Sequence, residues 1–128
     1  MKKENHIPTD SELAILNILW ERGDSTVKEI HEALPQKTGY TTTLKFVQIM
    51  RAKELIERIN EKRPHYYKAA VPQQGTETKL LSNWIGKLTQ GTAASLAIKA
   101  LGSHPVSNEE LSELRDLLDK IEEQNNED

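Results

Sequence analysis

Three times in this chain a Ser or Thr is followed three residues later by a Glu, just ahead of an apolar stripe: Thr9 and Glu12, Thr26 and Glu29, Ser107 and Glu110. In such a pair the hydroxyl accepts from the N3 amide, and the Glu carboxylate accepts in return from the N-cap amide. Two of the donors that a helix start leaves open are thereby satisfied. The boxes predict where three helices begin, and the apolar spacing behind each predicts its extent. Behind Thr9 the stripe is Leu13, Leu16, Ile18, Leu19 and Trp20, stopped by Gly23. Behind Thr26 it is Val27, Ile30, Ala33 and Leu34, closed by Pro35 and Gly39. A helix without a box follows from about Thr41 to Leu55, with Thr43, Leu44, Val47 and Met50 facing inward.

At Leu55 the period changes. Leu55–Asn60 and His65–Val71 alternate or are rich in β-formers, and they enclose the polar stretch Glu61-Lys62-Arg63-Pro64. That pattern is a β-hairpin with a basic tip. Three helices followed by a hairpin is the order of a winged helix-turn-helix, a compact DNA-binding architecture. Pro72-Gln73-Gln74-Gly75 then marks a boundary, which puts a winged-helix domain at residues 1–72 and a helical domain at 73–128. In the second, helices are expected over about 74–89, 93–101 and 108–124, and the Glu-rich end from Glu122 to Asp128 is expected to fray. Leu111, Leu114, Leu118 and Ile121 recur at spacings of 3, 4 and 3, a narrow seam with charged flanks. Three short helices bury little by themselves. Leu81, Trp84, Ile85, Leu111, Leu114, Leu118 and Ile121 are therefore expected to be covered by a second copy, making a homodimer. The class expected is mainly α with one small hairpin.

Composition narrows the chemistry. The 128 residues include no Cys, which removes disulfides, zinc ribbons and a cysteine nucleophile together. Aromatics are only 5%, too few for a large β-sandwich core. No apolar run approaches the roughly 20 residues that cross a bilayer. The start MKKENHIPTD has lysines but no apolar core behind them, so it does not read as a signal peptide. A soluble, cytoplasmic protein is the class these features suggest. His6, His31, His65 and His104 fall in four separate elements without metal-ligand spacing, so no metal or cofactor site is expected. Neither a phosphate loop nor a GxSxG or GxGxxG motif occurs, and no catalytic residues are assigned.

The formal net charge of −3 hides an asymmetry. Residues 37–68 carry eight basic and three acidic side chains, a balance of +5, whereas residues 103–128 stand at −7. A polyanion would sit on the basic middle. On the third helix the outward positions are Thr41, Lys45 and Gln48, with Thr42 and Ile49 at the margins. Hydroxyls at a helix N-terminus suit phosphate, because open amides and the macrodipole favour anions there. Lys45 can reach guanine acceptors and Gln48 adenine. Tyr40 can pack or donate to a phosphate, and Lys62 and Arg63 would lie along the backbone, positioning without specifying sequence. Thr43, Met50 and Tyr67 read as core. A second reading stays open, a winged helix that binds protein rather than DNA. What separates the two is whether Lys45, Lys53, Lys62 and Arg63 form one continuous positive face.

The stretches TDSELAILNILWERGDSTVKEIHEAL, GYTTTLKFVQIMRAKELIER and RPHYYKAAV, with LLSNWIGKLTQGTAASL and SNEELSELRDLLDKIE after them, resemble the penicillinase-repressor (BlaI/MecI/CopY) family. The resemblance implies a winged-helix repressor that binds palindromic operators as a homodimer through its helical C-terminal domain. It also implies a membrane-bound sensor metalloprotease as partner, whose activation inactivates the repressor, often by cleavage. Carried over by position, recognition falls on Thr41, Thr42, Lys45 and Gln48, and the wing contact on Arg63. The family usually has Gly where this chain has Glu54. With no Cys, the copper-responsive branch is excluded. Where the β-lactam-responsive branch is cut at an Asn-Phe bond, this chain has Lys99-Ala100, and no Asn-Phe pair occurs in it.

Overall fold

In the computed structural model of the chain, the structure describes residues 7–35 and 38–127; His6, Lys37 and Asp128 lie outside them. The elements run α1 (Asp10–Arg22), β1 (Ser25–Thr26), α2 (Val27–Ala33), α3 (Tyr40–Ala52), β2 (Ile56–Arg58), β3 (Tyr66–Ala69), α4 (Gln73–Leu88), α5 (Ala93–Ser103) and α6 (Asn108–Asn126). All three capping boxes close. Glu12 N–H donates to Thr9 Oγ1 at 3.3 Å while Thr9 N–H donates to Glu12 Oε1 at 2.9 Å. The Thr26/Glu29 and Ser107/Glu110 pairs repeat the pattern. Hydrogen bonds from the Ser107 amide and with its hydroxyl hold the Glu110 carboxyl below its usual range. α1 ends where expected, with Gly23 in the left-handed half of φ at +89°.

The sheet has three antiparallel strands in the order β1-β3-β2, with Ser25 opposite Tyr67 and Arg58 also opposite Tyr67 across its other edge. The hairpin of β2 and β3 is the expected wing. β1 is an addition. Its two residues are too short to show alternation in a sequence, and pairing with Tyr66 and Tyr67 is what makes them a strand.

The core lies among α1, α2, α3 and the sheet. Ile15, Leu16, Ile30 and Met50 are fully buried, joined by Leu19, Val27, Val47, Leu55, Ile56 and Tyr67. Thr43 and Met50 are inside, as their position on α3 predicted. Ile15 belongs to this core although the stripe read from the sequence passed it over. Trp20 ties α1 to the strand end, its indole N–H donating to the Val71 carbonyl at 3.1 Å.

α3 stops at Ala52, three residues short of the expected end, because Lys53 and Glu54 turn the chain into the sheet. Glu54 makes the turn at φ +65°, the left-handed conformation that L side chains resist. Releasing it costs about 1–2 kcal/mol less strain in a glycine, against a loss of about 0.5–1 kcal/mol to glycine's larger unfolded entropy. Glu54→Gly is therefore expected to raise the midpoint of thermal unfolding modestly, by circular dichroism. An unchanged or lower midpoint would show that the Glu54 side chain offsets the strain.

One charge of this region is buried. Glu12, 2% exposed, uses Oε1 for its cap and Oε2 for Lys53 Nζ at 2.7 Å. The pair ties the first turn of α1 to the end of α3.

The described residues divide into two compact units, which part between Asn83 and Trp84. The first holds the core above and extends into α4, where Thr76 and Leu80 are buried. The second is different in kind. Neither α5 nor α6 buries a single residue. Leu114 is half-buried, while Leu111, Leu117, Leu118 and Ile121 are all exposed. The tail does not fray at Glu122 as expected. α6 continues to Asn126, and its Glu and Gln residues are good helix formers with no Gly or Pro among them.

Candidate nucleic-acid interface

α2 and α3 make the helix-turn-helix, and a polar contact sets their orientation. His31 Nδ1 lies 2.8 Å from the hydroxyl of buried Thr43, and the His31 ring meets Tyr40 edge-on at 5.6 Å between centroids. Thr43 sits on the inner face of α3, so this contact pins the first turn of that helix. Outward from the same turns stand Thr41, Thr42, Lys45, Gln48 and Ile49, all exposed.

Between this helix-turn-helix and the hairpin lies a cleft of about 920 Å³. From α3 it is lined by Tyr40, Gln48 and Arg51, from the wing by Arg58, Arg63, His65 and Tyr66, and from α2 by Lys28 and Glu29. Three arginines and a lysine thus line one space with a single glutamate, whose Oε1 accepts from Thr26 N–H at 2.9 Å. Arg63 and Gln48, the wing and recognition candidates, share the cleft with Tyr40. Thr41, Lys45 and Lys62 are exposed but outside its lining. Thr42 borders a smaller hollow of about 300 Å³ with Asp10, Ser11 and Phe46.

Two residues depart from the sequence reading. Lys53 is withdrawn from the positive face that Lys45, Lys62 and Arg63 were to share, since it is spent on Glu12. Arg51 and Arg58 were not singled out, yet both line the cleft. Arg51 sits ten positions after Thr41 on α3, nearly three turns on, and helical periodicity already placed it near the Gln48 side. Arg58 had no such signal, because only strand pairing decides which way β2 turns. Its Nη1 lies 3.4 Å from His65 Nε2.

The three described histidines stay apart: His31 is on α2, His65 in the wing, and His104 caps α5 beside Ser103. Among the described residues no group of His, Asp and Glu is placed to hold a metal ion. No described helix is long and apolar enough to cross a membrane. Lys99 and Ala100 are exposed within α5.

A MarR family protein from Bacillus stearothermophilus superposes with a TM-score of 0.51 at 23% identity, over 94% of this chain and 76% of that one, a likeness of winged-helix fold. The penicillinase repressor of Staphylococcus aureus is 23% identical over 113 residues, covering 87% of this chain and 90% of that protein. The methicillin resistance regulatory protein MecI of Mammaliicoccus sciuri is 22% identical over 122 residues, 94% of this chain and 99% of its own. The transcriptional regulator BlaI of Mycobacterium tuberculosis is 31% identical over 84 residues, 63% of this chain and 59% of that one. The family model described as penicillinase repressor matches residues 8–120. With the winged helix and nearly its whole length matched, the chain belongs to the penicillinase-repressor family of transcriptional regulators.

Proposed function

We propose that this protein is a homodimeric transcriptional repressor that reads a palindromic DNA operator. Residues 1–72 bind DNA and residues 73–128 dimerise. The observation that carries the reading is the cation-lined cleft between α3 and the wing, open beside the exposed polar face of α3. α3 enters the major groove with Thr41 and Thr42 toward the backbone and Lys45 and Gln48 toward base edges. The adjoining phosphate strand runs into the cleft, where Arg63 meets it from the wing with Tyr40 opposite, and Lys62 adds charge at the tip. Twofold symmetry puts the half-sites about one helical turn apart, roughly 34–36 Å. Dimerisation is supported by the bare apolar faces of α4, α5 and α6. Leu81, Trp84, Leu111, Leu118 and Ile121 are exposed, and Ile85 and Leu114 only half-buried.

The roles differ in what they predict. Lys45→Ala should cost about 1–3 kcal/mol on a duplex selected from a random library, and relax preference at one base pair. Arg63→Ala should weaken selected and random duplexes alike, and lower the salt slope by about 1. Fluorescence titration at several salt concentrations measures both. Equal losses on both duplexes for both variants would overturn the division of roles. If neither duplex bound wild-type protein in a salt-dependent way, the winged helix would be a protein-binding module instead.

A further inference from the structure

The wing tip has to hold Arg63 over the cleft, yet its backbone does little to fix it. The ladder between β2 and β3 ends where Ile59 N–H donates to the Tyr66 carbonyl at 2.9 Å. Among the described residues, 61–65 make no backbone-to-backbone hydrogen bond. The side chain of Asn60 replaces the missing ladder. Its Nδ2 donates to the Lys62 carbonyl at 2.9 Å and to the Pro64 carbonyl at 3.0 Å. Its Oδ1 accepts from Tyr66 N–H at 2.7 Å.

We infer that Asn60 is the positioning residue of the wing: its amide grips the carbonyls on either side of Arg63 and so presents that guanidinium to the DNA backbone. The inference rests on the proposed wing contact. Two carbonyls, one before and one after Arg63, bonded to one NH₂ group hold the backbone on both sides of that residue. Both Nδ2 protons and the carbonyl oxygen of the amide are used; Asp lacks the donors, Ser has one proton for two carbonyls, and Gln carries the same groups one methylene farther from the backbone. Asn60 bonds to backbone only, the Lys62 carbonyl included, so its effect on DNA passes through the side chains that the loop carries, chiefly Arg63.

The test is a double-mutant cycle on the full chain, with a mixed-sequence duplex followed by fluorescence anisotropy over a range of salt. Asn60→Ala should lower affinity several-fold and reduce the salt slope by up to about 1, the share of one phosphate contact. The double variant Asn60→Ala/Arg63→Ala should bind no more weakly than Arg63→Ala alone, which general destabilisation would not produce. Trypsin should cut the Lys62–Arg63 bond faster in Asn60→Ala than in wild type. Should Asn60→Ala fail to fold by circular dichroism, Asn60→Ser, which keeps an acceptor for Tyr66 N–H, takes its place with the same expectations. Losses that multiply in the double variant would overturn the inference. So would wild-type DNA binding by Asn60→Ala while Arg63→Ala is impaired, and in that case the wing contact stands. If Arg63→Ala itself binds as wild type, the wing contact falls and the positioning role with it.

Discussion

Replacing Leu114 and Leu118 together by Asp is expected to leave the protein monomeric in analytical sedimentation and without DNA binding at nanomolar concentration. Leu118 is 61% exposed and Leu114 half-buried in one copy, so neither change opens a hole in a packed core. The cost falls on assembly. Two carboxylates per subunit, four per proposed interface, would have to be desolvated beside helices that already carry Glu110, Glu113, Asp116 and Asp119. Loss of the dimer removes about 3–5.5 kcal/mol of binding free energy. Two linked half-site contacts gain by effective concentration, typically 10²–10⁴ over either alone. Residues 7–83 should keep their helical signal and cooperative melting, since their core shares none of these leucines. An unchanged dimer would take the α6 seam out of the interface, and a monomer that still bound DNA at nanomolar concentration would separate binding from dimerisation.

Leu16→Ala is the converse experiment, the same residue type in the opposite place. Leu16 is 0% exposed and packs in the cluster shared by α1, α2, α3 and the sheet. Truncation of such a leucine loses its transfer energy and leaves a cavity, together about 2–5 kcal/mol. Against a domain stability of about 5–15 kcal/mol, that is a large fraction. The thermal midpoint should fall by about 10 °C or more, read by circular dichroism. Leu118→Ala, by comparison, should shift the melting of an isolated chain very little, about 0.5 kcal/mol or less. If Leu16→Ala melted near wild type, α1 would not be packed as described.

The pair of leucines shows how far periodicity reaches. Both lie on helical stripes of similar spacing, behind capping boxes of the same kind, and the same rule finds them. A stripe says that a face wants cover. It does not say whether the cover comes from its own chain or from another copy. Leu16 is covered by α2, α3 and the sheet, while Leu118 faces solvent in a single copy.

What the sequence alone determined is the local part. The Thr9, Thr26 and Ser107 boxes, the stop at Gly23, the inward Thr43 and Met50, and the hairpin after Leu55 all follow from relations spanning a few residues, where backbone geometry leaves few choices. Penicillinase-repressor membership was legible for the same reason, being written in runs of adjacent residues. Tertiary structure alone decided what depends on partners far along the chain. Glu12 and Lys53, 41 positions apart, are one ion pair, so a lysine counted toward the positive face is absent from it. Ser25 and Thr26 become a strand only because Tyr66 and Tyr67 lie beside them. Arg58 joins Arg51 and Arg63 at one cleft because strand pairing turns it there. Charge and apolarity are properties of residues, but which of them meet is set by chain closure over long loops, and no short-range pattern encodes that.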